Sequence, residues 1–494
     1  MLNKIKLTKN IIIELVFLIS VFCLSFILRT YKIDNPIADW HSWRQADTAA
    51  VARNFAKEGI NLFYPKANNF FKQNAADLEN PNRYFLNEFP FYNAIVAVVY
   101  KFTGIQEKYA RLVSVFISSL TAICLYLLVK QYSGRFIAGL SAIFFAVLPY
   151  NIYYGRVTMP DPTFIFFSVF SLLLLTLWLD KESIIWAILG SLSLTLAMLV
   201  KPYAIFLGIP ISYMVFRKWG LMFFKNFQVW LVVFLSLIPL ALWRYHINQH
   251  PEGMFGSEWL INATDIRFKG AFFRWIIFDR MNRLIFATGG FVLFWLGIIS
   301  ARTKKEGLFF LSWLLSVFCY ITYFAMGNVT HDYYQMPLIP IGCIFMAKGF
   351  IWLLKKGNDF ISRVVNITLA FSFILLMLGL GWYEVRGFFN INRWEIVEAG
   401  KEVDKILPKD AKVIAPYNRD PAFLYQTNRN GWSGLRNLDE LREYITKGAT
   451  HYASVDFDAV TNELMKNCNV VKKEEKFVII DLQNCNLTAF GNEL

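Results

Sequence analysis

Long apolar runs recur along this chain. A run of about 20 residues almost free of charge has one stable fate, a helix in a bilayer, where each backbone N–H and C=O must find its partner within the segment. Such stretches cover 11–28, 109–129, 136–154, 163–179, 184–200, 203–216, 228–246, 284–300, 308–325, 336–354 and 364–383, which makes about eleven candidate spans. Of the 494 residues, 56% are hydrophobic and 17% charged, and mean hydropathy is +0.40. Soluble domains run nearer to about 45–50% and about 25%. The 48 Phe, 15 Trp and 23 Tyr suit lipid-facing helices and interfacial aromatic belts. A soluble enzyme and a disordered chain are both excluded. The first run exceeds a signal-peptide core and meets Arg29-Thr30-Tyr31, a poor cleavage site, so it is expected to stay as an anchor.

Lys and Arg number 50 against 36 Asp and Glu, a net charge of +14. With the N-terminus inside, every gap on the cytoplasmic side is basic: Lys130 with Arg135, Lys181, Arg217 with Lys218 and Lys225, Arg302 with Lys304 and Lys305, and Lys355 with Lys356 and Arg363. Lys4, Lys6 and Lys9 precede the first span and agree. The excess is a topology signal and implies membrane lipids, not nucleic acid, as surroundings. It leaves 29–108, 247–283 and the tail from about 385 outside. Within the first, 91–102 is apolar but too short to span and reads as an interfacial or re-entrant helix. The tail changes character: helices are expected over 393–406 and 439–446, and strands over 412–415, 450–455 and 476–482. The expected fold is an α-helical polytopic membrane protein over 1–390 with a small α/β extracytoplasmic C-terminal domain over 391–494. Cys468 and Cys485 in that tail are compatible with a disulfide, while the six cysteines show no metal-binding spacing.

Two outer elements concentrate reactive side chains. The first is Asp39-Trp40-His41-Ser42-Trp43-Arg44-Gln45-Ala46-Asp47. Its structural reading is Asp47 as N-cap of an Ala-rich helix over 48–56, with interfacial tryptophans. The second is Arg156-Val157-Thr158-Met159-Pro160-Asp161-Pro162, where an Arg and an Asp sit at the membrane mouth. Ionisable groups are costly there unless they have a partner or a task. The bland account is an Asp capping the fourth span and a snorkelling Arg. Both acids fall on the same membrane face.

The order of these elements, with Glu88-Phe89-Pro90-Phe91-Tyr92, Glu107-Lys108-Tyr109-Ala110-Arg111-Leu112 and His331-Asp332-Tyr333-Tyr334-Gln335-Met336-Pro337-Leu338, resembles the GT-C membrane glycosyltransferases. The branch is that of the protein O-mannosyltransferases and lipid A aminoarabinose transferases, and the likeness runs from residue 11 to about 385. It implies transfer of a sugar, with inversion, from a polyprenyl-phosphate-sugar donor to a lipid, glycan or protein acceptor outside the cytoplasm. By position Asp47 matches the catalytic loop acid, a general base for the acceptor hydroxyl, and Asp161 the second acid. The leaving phosphate needs cationic or phenolic donors, for which Arg156, Lys201, His331, Tyr333 and Tyr334 stand ahead of Arg267 and Arg274. His41, Arg44 and Tyr92 are assigned as further substrate contacts. No metal ligands are assigned, although Asp47 and Asp161 could share a divalent cation.

The chain departs from the pattern at two points. Aminoarabinose transferases carry Lys-Pro-Pro before the interfacial helix, the Lys meeting the donor phosphate. Glu88 stands there in this chain, leaving Lys72, Arg83 or another base for that charge. The first loop also reads His-Ser-Trp-Arg-Gln-Ala-Asp instead of a usual Asp-Glu start. The rival readings are a lipid-linked sugar flippase or transporter and a polysaccharide ligase. A flippase predicts charged or broken helices near the midplane and related halves, neither of which the sequence has. A ligase relies on Arg and His in a large later loop, whereas the densest constellation lies in the first. The lack of a soluble insertion domain points to a prokaryotic plasma (inner) membrane enzyme.

Overall fold

The computed structural model describes residues 2–70, 78–391 and 393–485. Two compact units emerge. A helical unit comprises Met1–Ile33, Arg111–Tyr245 and Ser257–Gly387, and a mixed unit comprises Asp34–Ala110, His246–Gly256 and Phe388–Leu494.

All eleven apolar stretches lie on helix. Six helices among the described residues are long and apolar enough to cross a membrane: Ile11–Arg29, Glu107–Val147, Asp161–Lys181, Phe227–Asn248, Leu338–Lys355 and Phe360–Val385. Gly270–Ile285 and Ala287–Ile299, bent by 113°, make a seventh if taken as one span. The difference from eleven is one of length. At 1.5 Å per residue the 41-residue Glu107–Val147 would measure about 60 Å, twice a bilayer core. It breaks at Gly134 (φ 80°, ψ 175°), so it carries 109–129 and most of 136–154, whose end forms the short helix Pro149–Tyr154. Ile184–Val200 and Phe309–Tyr323 have 17 and 15 residues. The stretch 203–216 is divided between a 3-10 turn, Pro202–Leu207, and the helix Gly208–Trp219. Glycine sets the closest approach: a Cβ at Gly297 would strike the Phe345 carbonyl, and one at Gly349 the Leu293 carbonyl. Ala287–Ile299 and Leu338–Lys355 therefore pack backbone to backbone, as small residues permit in lipid.

The mixed unit is built on a five-stranded sheet. β1 (Lys412–Ile414), β2 (Asn430–Trp432), β3 (His451–Ser454), β4 (Asn469–Lys473) and β5 (Val478–Asp481) stand in the order β2-β1-β3-β5-β4, with β1 parallel to β2 and β3 and the other pairings antiparallel. Strand alternation sends side chains to opposite faces. Ile414, Tyr452 and Ile480 meet Leu441 and Leu464 of the helices Leu438–Thr446 and Ala459–Asn467 on one face. Val413, Ala453 and Ile479 share the other core with Val397 and Phe423 of the tail and with Ala46, Ala49, Ala50 and Phe55 of the outer loop. Residues 68–70 hydrogen-bond to Gly431 on the open edge of β2 (2.8 and 3.0 Å). The outer loop and the tail are thus one packed body. The strands expected over 412–415, 450–455 and 476–482 and the helices over 393–406 and 439–446 are present; β2, β4 and the helices Ala422–Gln426 and Ala459–Asn467 add to them. Cys468 and Cys485 form a disulfide. The 91–102 stretch is the 13-residue helix Phe91–Thr103, about 20 Å long and too short to span.

Candidate functional site

Asp47 lies on the helix Ser42–Glu58, which begins five residues before it. The helix is buried on nearly all sides from Ser42 to Phe55, and its alanines let the packed core come close. Asp47 therefore caps nothing; the N-cap position belongs to His41, in left-handed backbone (φ 56°, ψ 37°). The Asp47 side chain is 2% exposed, and its Oδ2 is buried without a hydrogen-bond partner. Burial pushes its carboxyl up to about 8; Arg44 opposes that shift, and Asp420 and Glu88 add to it. Arg44 is ion-paired to Glu88, both buried, and its guanidinium lies over the Phe85 ring. Gln45 Nε2 donates to Asp39 Oδ1 (2.7 Å) and to the Trp40 carbonyl (3.1 Å), tying the helix start to the preceding turn. His41 packs edge-on against Trp40, which stacks on Phe388. Tyr92 is fully buried and donates its hydroxyl to the Ala110 carbonyl (2.9 Å). Arg83 binds Glu58, the Ala67 carbonyl and Asn430. Lys72 lies outside the described residues.

In the helical unit Asp161 is the first residue of Asp161–Lys181, between Pro160 and Pro162. The chain leading to it is held by Ser118 Oγ on the Gly155 carbonyl (2.9 Å) and Ser114 Oγ on the Val157 carbonyl (2.7 Å). Lys201 Nζ sits 3.6 Å from Asp161 Oδ1, both residues buried. Lys201 is brought there because Ile184–Val200 ends at it in extended backbone and Pro202 opens a new turn. A small apolar pocket in the same unit is lined by Phe164, Ile165, Ser168 and Val169 from the Asp161 helix, by Tyr203 and Phe206 after Lys201, and by Trp313 and Tyr320. Tyr203 stacks on Tyr320 (4.4 Å) and neighbours Tyr334 (6.4 Å). Tyr334 and Tyr333 flank the His331 ring (5.3 and 5.5 Å). Asp332 accepts the Tyr154 hydroxyl at Oδ1 (2.6 Å) and the Tyr150 hydroxyl at its carbonyl (2.5 Å).

The anticipated residues therefore fall into two sets. His41, Arg44, Asp47 and Tyr92 belong to the mixed unit; Asp161, Lys201, His331, Tyr333 and Tyr334 share one aromatic-lined region of the helical unit. Arg156 is fully buried with Nη1 on the carbonyls of Tyr31 (3.2 Å) and Lys32 (2.7 Å), so it secures the exit of the first helix. Arg267 similarly holds the Thr322 and Tyr323 carbonyls (2.6 Å each). Sequence reasoning passed over Asp332 and Asp420. Asp332 lay inside a quoted motif; Asp420, between Arg419 and Pro421 in the tail, carried no local signal. Among the described residues no three His, Cys, Asp or Glu side chains cluster as a metal site.

Residues 87–246 match the model of the dolichyl-phosphate-mannose-protein mannosyltransferase family. The structure of ArnT from Cupriavidus metallidurans bound to undecaprenyl phosphate is similar over 95% of this chain and 97% of that one, with a TM-score of 0.63 at 15% identity. Its apo state gives 0.61 at 13%, covering 96% and 98%. The oligosaccharyltransferase AglB from Archaeoglobus fulgidus, in complex with an inhibitory peptide and a dolichol-phosphate, gives 0.56 at 9%, covering 89% of this chain and 69% of that one. No curated protein sequence matches the chain. The chain has the GT-C fold that these solved structures share.

Proposed function

We propose that the protein is an inverting glycosyltransferase that moves a sugar from a polyprenyl-phosphate-linked donor to an acceptor hydroxyl or phosphate on the extracytoplasmic face of the membrane. The observation that carries this reading is Asp47, a buried carboxylate with one oxygen bare of protein partners and a proton affinity raised toward neutrality. A general base works best with a pKa near the working pH. In the step we assign to it, Asp47 takes the proton of the acceptor hydroxyl as that oxygen bonds to C1 of the sugar. The C1–O bond to the carrier phosphate breaks on the opposite side, and its electron pair leaves with the polyprenyl phosphate. A phosphate is a stable leaving group, so the step needs cationic charge more than a general acid. Within the helical unit, Lys201, ion-paired to Asp161, is the cation we assign to the donor phosphate. The undecaprenyl phosphate of the ArnT structure and the dolichol-phosphate of the AglB structure support a lipid-phosphate carrier as the ligand class.

The basic gaps support a cytoplasmic N-terminus, and the Cys468–Cys485 disulfide supports an oxidising compartment for the tail. We place the protein in a prokaryotic plasma (inner) membrane, with a lipid, glycan or protein as acceptor. The test is sugar transfer from a panel of radiolabelled polyprenyl-phosphate sugars by detergent-purified protein, with a membrane extract as acceptor source. Turnover in the wild type that vanishes in Asp47→Asn supports the reading; equal turnover in both overturns the base assignment. Lipid-linked sugar that crosses proteoliposomes without being released would make the protein a flippase instead. Adding and chelating divalent cations in the same assay decides whether an ion supplements Lys201.

A further inference from the structure

The tail segment Pro416-Tyr417-Asn418-Arg419-Asp420-Pro421 is built against local preference. Asn418 (φ 49°) and Arg419 (φ 62°) both adopt left-handed backbone. Asn adopts that conformation readily, but for Arg419 it costs about 1–2 kcal/mol and persists only where the surroundings impose it. Here the Asp420 N–H closes on the Tyr417 carbonyl (2.7 Å), and the Tyr417 N–H reaches the Ser433 carbonyl (3.4 Å). The result is a half-buried Asp420 carboxylate held from two sides. Oδ1 accepts the Ala422 N–H (2.8 Å), and Oδ2 accepts the hydroxyl of Ser42 (3.2 Å). Ser42 is the first residue of the Asp47 helix and follows His41, a third left-handed residue. An Asp that merely capped the helix Ala422–Gln426 would need the Ala422 contact alone, not a second oxygen on Ser42.

We propose that Asp420 is a positioning residue for Asp47: it pins the first turn of the Asp47 helix through Ser42 and adds a negative charge to the surroundings of the base, making the C-terminal segment part of the site. This rests on the reading of Asp47 as general base. The groups that act on Asp47 come from three elements: Arg44 on its own helix, Glu88 ahead of Phe91–Thr103, and Asp420 in the tail. Asp420 in turn feels burial, the Ala422 N–H, Ser42 and His41, and its own carboxyl is raised to about 6. Above that pH Asp420 is charged and strengthens the hold of Asp47 on its proton.

The experiment is kcat/KM against pH for the wild type, Asp420→Asn, Ser42→Ala and Asp47→Asn, with melting curves for each. Asp420→Asn keeps the shape, since its Oδ1 still accepts from Ala422 and its Nδ2 can donate to Ser42, but it removes the charge. Its acid limb should move to lower pH, giving a severalfold gain between pH 6 and 8, and the profiles should converge below 6, where wild-type Asp420 is itself neutral. Ser42→Ala keeps the charge and cuts the tether, so kcat should fall several-fold with the limb and the donor KM unmoved. A profile of Asp420→Asn that superimposes on the wild type while Asp47→Asn is inactive overturns the role of Asp420 alone. Wild-type turnover in Asp47→Asn overturns the base reading on which it rests.

Discussion

Replacing Asp47 by Asn should remove nearly all turnover and change the pH dependence of stability in a direction that marks the residue as functional. The carboxyl rises from an ordinary 3.8 to about 8 on folding, chiefly through burial. The folded state therefore holds a proton that the unfolded chain has released between about pH 4 and 8. Stability from this group is intact below pH 4, declines as pH rises and is gone above about 8. A rise from 3.8 to about 8 makes the loss on the order of 5 kcal/mol. Asn carries no such penalty, but it places an amide where Oδ2 has no partner, which costs about 1–3 kcal/mol at every pH. The melting curves of the two proteins should consequently cross: Asp47→Asn less stable near pH 4.5, and more stable near pH 8.5. Thermal denaturation in detergent, followed by tryptophan fluorescence across that range, measures the crossing. In the transfer assay the wild type should gain nearly tenfold in kcat/KM per pH unit below 8, and the variant should lose about 10²–10⁴ of the plateau rate. Parallel stability curves, with the variant lower throughout, would refute the claim that the site holds Asp47 against its own ionisation.

Lys201→Ala should raise the donor KM more than the acceptor KM, with Lys201→Arg retaining part of the affinity; an unchanged donor dependence in saturation kinetics returns Lys201 to a snorkelling role. Asp404→Ala leaves the fully buried Arg429 guanidinium without its carboxylate, and because Asp404 is a third exposed the loss should be about 2 kcal/mol, read as a lower melting temperature. Lys409, Arg429 and Asn428 hold the Asp404 carboxyl down to about 2 against its partial burial, so its contribution is present above pH 4 and fades as pH falls toward 2. Cys468→Ser opens a 17-residue loop and should cost about 3 kcal/mol, matched by reducing the wild type with dithiothreitol.

The membrane character and the position of every apolar helix were legible because period and length are written locally, and Asp47 and Asp161 stood out because ionisable groups at a membrane mouth are rare. What the sequence concealed is non-local. Nothing near Ala46 and Ala49 says that they pack against Val413 and Ile479, more than 350 residues away. Nothing near Asp420 says that it meets Ser42. The N-cap reading of Asp47 rested on the Ala-rich run after it and gave no weight to Ser42–Arg44, whose burial extends the helix forward. Nothing near Arg156, expected at the donor phosphate, says that its Nη1 also holds the carbonyls of Tyr31 and Lys32.

Glu88 connects the departure from the aminoarabinose transferase pattern with the chemistry of Asp47. A carboxylate at that position cannot bind a phosphate, but it takes Arg44 as its partner, and Arg44 lowers the proton affinity of Asp47. Glu88 adds to that affinity directly and also draws the opposing cation to itself. Removing its charge in Glu88→Gln acts on both: a negative neighbour disappears, and Arg44 is released toward Asp47 one turn along the same helix. The acid limb of kcat/KM should shift down in pH, while the plateau falls because a less basic carboxylate removes the acceptor proton less effectively. An Arg44→Gln variant should move the limb the other way, and Glu88→Gln with Arg44→Gln should return it toward the wild type. A limb that stays fixed in both single variants would mean that the Arg44–Glu88 pair does not set the basicity of Asp47 and serves only the packing of the loop.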